Sequence, residues 1–174
     1  MRFFILLLAG LLLYVPLCAG DEAFSAPPPV ERKPWDLPVQ LDPNIKIGKI
    51  YDFLNDTQRT SAGHDPVLRQ EFKYFNHGAI TNGQRAERIG HYYIVNVTND
   101  GPAADLIIRM DFRQLLSRDA VNTLEAEFKN SRGDYKQQFV IAGEQYRTHG
   151  DVNSWRVAVV KDGKIVAQKN SYVW

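Results

Sequence analysis

The chain has one cysteine, Cys18, in an apolar stretch near its start. Beyond that residue nothing can form a disulfide framework, a thiolate nucleophile or a cysteine-ligated zinc site. An excess of either charge is missing as well: 21 Lys and Arg face 20 Asp and Glu, a formal net charge of +1. That balance gives no electrostatic reason to expect nucleic acid or an anionic lipid surface as a partner. There is no glycine-rich phosphate loop, and Asn99-Asp100-Gly101 and Asp162-Gly163 do not continue into calcium-loop spacing. The four histidines, His64, His77, His91 and His149, lack the i, i+4 pairing of zinc hydrolases. His64-Asp65 is at most half a site, since zinc takes three or four protein ligands. His91 falls on a strand and reads as packed or hydrogen-bonded, and His149-Gly150-Asp151 as a turn. Ser25, Ser61, Ser117, Ser131, Ser154 and Ser171 have no Gly-x-Ser-x-Gly setting. No cofactor, metal or catalytic residue is expected, and the chain reads as a non-enzyme.

What is present begins with residues 1–20. Arg2 is followed by an uncharged run to Gly20 with Leu6-Leu7-Leu8 and Leu11-Leu12-Leu13 at its centre and Cys18-Ala19-Gly20 at its exit. A basic start, an apolar middle and small residues at the end are the pattern of a secretory signal peptide. The expected location is therefore secreted or periplasmic. Contact with a membrane would come through an uncleaved leader, or through a lipid on Cys18. Leu17 before that cysteine departs from the small residue that lipidation prefers. Removing Arg2 with the leader leaves acidic and basic side chains equal in number.

Residues 21–44 hold six of the nine prolines, including Pro27-Pro28-Pro29. Proline fixes φ and donates no backbone hydrogen bond, so the segment reads as an extended linker, with Trp35 placed to dock onto the domain that follows. A polyproline ligand for another module is the other reading.

Residues 45–174 carry a period of two. Leu106, Ile108, Met110 and Phe112 alternate with Ile107, Arg109, Asp111 and Arg113; Leu124, Ala126 and Phe128 alternate with Glu125, Glu127 and Lys129. Tyr135, Phe139 and Ile141, and then Trp155, Val157 and Val159, continue it. The stretch from Ile89 to Thr98 is apolar on both phases, as in a central strand. Weaker strands are expected at 47–54, 71–76 and 165–173. Asn99-Asp100-Gly101-Pro102, Asn130-Ser131-Arg132-Gly133-Asp134 and Lys161-Asp162-Gly163-Lys164 break between runs, the last with the Asp-Gly of a tight hairpin. Residues 81–88 and 143–149 suit a turn or two of helix.

Seven to eight short strands with such spacing predict an antiparallel β-sandwich of immunoglobulin-like type, preceded by the proline-rich segment. Over residues 70–174, Tyr92-Tyr93-Ile94-Val95-Asn96-Val97-Thr98-Asn99-Asp100-Gly101-Pro102, the unit Trp155-Arg156-Val157-Ala158-Val159-Val160 and the ending Ser171-Tyr172-Val173-Trp174 resemble uncharacterised exported bacterial proteins with an immunoglobulin-like or fibronectin-III-like sandwich. That resemblance implies a fold and carries over no site residue.

Two features suggest chemistry. Glu125 and Glu127 share a strand face, as acid–base pairs of glycosidases do, although alternation assigns them to the solvated face. Phe72, Tyr74 and Phe75, and Trp155, Tyr172 and Trp174, group aromatics that could stack on sugars or fill a partner's pocket. Trp155 shares its phase with core valines, and Trp174 reads as a seal at the end of the domain. Asn55-Asp56-Thr57 and Asn96-Val97-Thr98 match the glycan-acceptor pattern. The reading that results is an exported non-catalytic protein that binds or associates with another envelope or extracellular protein. The segments 55–69 and 114–122 are its candidate loops. The alternative is a carbohydrate-binding module or small carbohydrate-active protein, with a polysaccharide partner.

Overall fold

Two long runs of β-branched and aromatic residues form one bent hairpin in a computed structural model that describes residues 36–56 and 65–174. The leader at 1–20, Cys18, Ser25, Pro27 to Pro29, Trp35, Ser61 and His64 lie outside the described residues. The elements are β1 (Ile45–Asn55), α1 (Pro66–Phe75), α2 (Asn82–Ala86), β2 (Gly90–Gln114), β3 (Asn122–Ala142), α3 (Glu144–His149), β4 (Val152–Lys161) and β5 (Lys164–Asn170). All strand pairings between them are antiparallel, so the all-β reading holds. The described strands form one curled, half-barrel sheet of five. The expected seven to eight strands in two stacked sheets are not what these residues build.

The reason lies at two of the expected turns. Asn99 to Ala104 is a bulge inside the 25-residue β2, and it faces a second irregularity at Asn130 to Gly133 inside the 21-residue β3. Asn130 (φ 49°) and Gly133 (φ 89°) turn the chain through the left-handed region without ending the strand. The Asn99 amide, 2% exposed, holds the bend by donating to Ser131 O (2.9 Å) and Pro102 O (3.1 Å) and accepting from Gly101 N (3.0 Å). Ser131 Oγ adds a bond to Ala104 O at 3.0 Å.

The bulge reverses phase. Tyr93, Val95 and Val97 face the concave side before it; Leu106, Ile108, Met110 and Phe112 face the same side after it. β3 does likewise, with Leu124 and Ala126 before and Phe139 and Ile141 after. These side chains, with Val157 and Val159 from β4, form the main core, most of them 0–3% exposed. Each is worth about 1.5–3 kcal/mol relative to exposure.

On the convex side, α1 covers one end. Asp65 caps it by accepting from Val67 N at 2.8 Å, Pro66 occupies its first turn, and Phe72 and Phe75 pack on Phe53 and Tyr92. The expected strand at 71–76 is thus a helix, and Tyr74 points outward, 64% exposed. The short helices do form: Thr81 and Gln84 make a reciprocal capping box on α2, and α3 follows Gly143. Asp162 (φ 50°) and Gly163 (φ 72°) supply the tight β4–β5 turn. At the other end of the convex side, Leu37 packs on Ala158, Val160 and Ile165. Residues 38–42 run beside β5, with Gln40 N donating to Ile165 O, Ile165 N to Pro38 O and Asp42 N to Val166 O, each 2.9 Å. The folded body therefore begins before Ile45. No helix among the described residues is long and apolar enough to cross a membrane.

Candidate functional site

Three places gather polar or exposed side chains that packing alone does not require. The first is at one mouth of the curl. β1 brings Asp52 opposite Tyr93 of β2, and His91 lies two residues earlier on the same face. α3 adds Tyr146, and the turn into β4 adds Asp151. The His91 Nδ1 is 3.4 Å from Asp52 Oδ1 and its Nε2 is 3.6 Å from Asp151 Oδ1, while Tyr146 donates to Asp151 at 2.8 Å. The ring stacks on Tyr93 with centroids 5.9 Å apart. His91 is 9% exposed and Tyr93 1%. Burial, reinforced by the Asp52 and Asp151 charges, pushes the Tyr93 phenol above its ordinary range, so it remains a neutral donor. Gln114, at the far end of β2, closes the group by donating to Gly150 O at 2.8 Å. The imidazole thus lies between two carboxylates, one on β1 and one at the α3–β4 junction.

The second is a charged cluster on the convex face. Asp111, 1% exposed, accepts from Arg109 Nε (2.8 Å), Thr123 Oγ1 (2.7 Å), and Arg156 Nε and Nη2 (3.1 and 2.7 Å). Arg109 is 2% exposed and Glu125, its register partner on β3, is 9% exposed. Alternation had assigned Glu125, with Glu127, to a solvated face; Glu127 is exposed but Glu125 is buried. A period-two pattern reports which side of a sheet a residue occupies, and here the second side is covered too. Next to this cluster the Trp174 ring carries the Arg113 guanidinium 4.3 Å from its centroid and that of Arg156 at 5.2 Å.

The third is an apolar end. Two residues beyond Arg113, the β2–β3 turn exposes Leu115 (58%) and Leu116 (69%), held by bonds from Leu115 N to Asp151 O and Leu116 N to His149 O. The tail after β5 reaches the same end. Ser171 N donates to Trp155 O, Trp155 N donates to Ser171 Oγ, Tyr172 and Val173 stand out in solvent, and Trp174 returns to Arg113. Trp155 itself is partly buried against the core.

Among the described residues the Ser117 hydroxyl is buried without a hydrogen-bond partner, whereas several other candidates have structural ones. The His77 carbonyl accepts from Arg88. Asn55 is 2% exposed with its amide donating to Arg88 O (2.7 Å), and the Asn96 amide donates to Lys49 O (2.8 Å), so both glycan-pattern asparagines are engaged. A cleft of about 350 Å³ between residues 40–43 and the β4–β5 turn is bridged by Lys164 to Gln40 (2.8 Å) and Lys161 to Asp42 (4.0 Å). Among the described residues no group of three or more His, Cys, Asp or Glu side chains is arranged to hold a metal ion. The buried His91 and Asp111 groups were invisible in sequence, because their members come from different strands and join only through register. No protein-family model, curated protein or solved structure matches the chain.

Proposed function

We propose that this chain is an exported, non-catalytic binding protein of the cell envelope or extracellular space, and that it engages another protein through the end formed by the β2–β3 turn and the C-terminal tail. The leader pattern at residues 1–20 supports export. The observation that carries the binding reading is the exposure of Leu115, Leu116, Tyr172 and Val173 at one end, beside an arginine-flanked tryptophan. Large apolar side chains clustered with Arg and aromatic residues are the composition of interaction anchors.

The carbohydrate reading has fewer platforms. Trp155 is packed, the Trp174 face is taken by guanidinium groups, and among the described residues the open rings are Tyr172 and, apart from it on α1, Tyr74. The test is capture from envelope extract with the chain and its Leu115→Asp/Leu116→Asp variant. Loss of a specific captured protein by the variant, with its far-ultraviolet spectrum unchanged, is the expected result. Equal capture by both chains, or a tryptophan fluorescence response to a polysaccharide panel without any captured protein, refutes it.

A further inference from the structure

The outer edge of β3 has no strand beside it among the described residues. Gly143 N donates to Ile89 O, and in an antiparallel ladder the bonded positions alternate. Residues 135, 137, 139 and 141 therefore face β2, while the backbone N–H and C=O of Asp134, Lys136, Gln138 and Val140 point outward. One of these groups, Gln138 O, accepts from the Gln137 side chain at 2.7 Å and keeps a second lone pair. Val140 is 37% exposed and Lys136 is exposed, so this edge is open to solvent.

Natural sheets blunt such edges with proline, bulges, edge lysines or inward-pointing charges. From residue 134 to residue 142 this edge carries one such device, the exposed Lys136, and none of the others. The bulge stops at Gly133, there is no proline, and Tyr135, Phe139 and Ile141 occupy the inward positions. A short segment of high β-propensity and low net charge, without proline or glycine, is also the kind that pairs with a copy of itself. The chain's net charge of +1 adds little long-range repulsion between copies.

We propose that two copies of this chain associate edge to edge through β3, antiparallel about a two-fold axis at Gln138. Charge disfavours the two centres before it, and the end of β3 at Ala142 leaves a shorter overlap for any centre after it. A two-fold at Lys136 would set lysine against lysine, and one at Gln137 would bring the two Lys136 side chains together diagonally. Centred on Gln138, Lys136 faces Val140 of the second copy, Asp134 faces Ala142, and Gln138 faces Gln138, so no like charges meet. The overlap then runs from residue 134 to residue 142 and offers roughly ten backbone hydrogen bonds. Such an interface is self-complementary, as two-fold pairing requires. It is also a different surface from the Leu115/Leu116 end, so either assignment can fail without the other.

The test is sedimentation equilibrium on the purified chain, with variants whose changes avoid the β2 ladder. Gln138→Pro removes an N–H that points away from β2 and should abolish the dimer. Val140→Lys places two symmetry-related like-charge pairs in the interface and should weaken it about tenfold, while Val140→Glu should tighten it through Lys136. In a Cys18→Ser background, Gln138→Cys should cross-link rapidly on mild oxidation, because directly bonded strand positions lie within disulfide reach. Lys73→Cys on α1 is the slow control. A monomer at concentrations up to about 100 μM overturns the proposal. So does a dimer indifferent to Val140→Lys, or a Gln138→Cys chain that cross-links no faster than the Lys73→Cys control. If Gln138→Pro does not fold, the Val140 pair and the cross-link rates decide.

Discussion

Replacing Asn99 with alanine tests the idea that facing irregularities, stapled by one side chain, bend the β2–β3 hairpin. The amide makes three hydrogen bonds at 2.9, 3.1 and 3.0 Å, to two carbonyls and one N–H, and the residue is 2% exposed. A typical bond contributes about 1 kcal/mol net, and partners left buried without replacement cost more, so Asn99→Ala should destabilise by about 3 kcal/mol. With a urea m-value of about 2 kcal/mol/M, the midpoint should fall by about 1.5 M at unchanged m. Asn99→Asp keeps the acceptor for Gly101 N but aims carboxylate oxygen at the Ser131 and Pro102 carbonyls, so it should cost at least as much as alanine despite its matching shape. The assay is urea unfolding followed by tryptophan fluorescence and far-ultraviolet circular dichroism on all three chains. A midpoint shift below about 0.5 M for alanine, or an aspartate variant as stable as the parent, would refute the stapling argument.

Asp111→Ala leaves the buried Arg109 guanidinium without its 2.8 Å carboxylate contact and frees the more exposed Arg156, so a loss of about 3–4 kcal/mol is expected in the same urea assay. A loss under about 1 kcal/mol would mean that the cluster's other contacts suffice. Tyr93 has its phenol pKa raised in the folded chain above the ordinary value of about 10, so its contribution is intact below that pH and is lost as the pH climbs through the folded value. Stability of the parent should therefore fall above about pH 10, and Tyr93→Phe should show a shallower alkaline decline; equal slopes would sink this assignment.

The legible parts of the fold were those fixed by local chemistry. Asp162-Gly163 specifies its hairpin because both residues accept positive φ, and Thr81 with Gln84 specifies the start of α2 through a reciprocal cap. The strand count was not legible, because Asn99-Asp100-Gly101-Pro102 has the composition of a turn and acts as a bulge. Apolar positions change parity across it, odd to Val97 and even from Leu106, which looks like a new strand although the backbone continues. α1 was missed because Phe72 and Tyr74 suggest alternation. The signal that competes with it is Leu68, Phe72 and Phe75 at i, i+4 and i+7 behind the Asp65-Pro66 start. Burial of Glu125 and Arg109 depends on what covers a sheet's second side, and a strand pattern holds no such information.

The strip of residues 38–42 has a mechanical consequence. Its three backbone bonds to β5 lie beside a strand running in the same direction. A pull along the chain from its N-terminal side would load them together, in shear, instead of peeling them apart one by one. Under such a pull the load would pass to β5 rather than to β1.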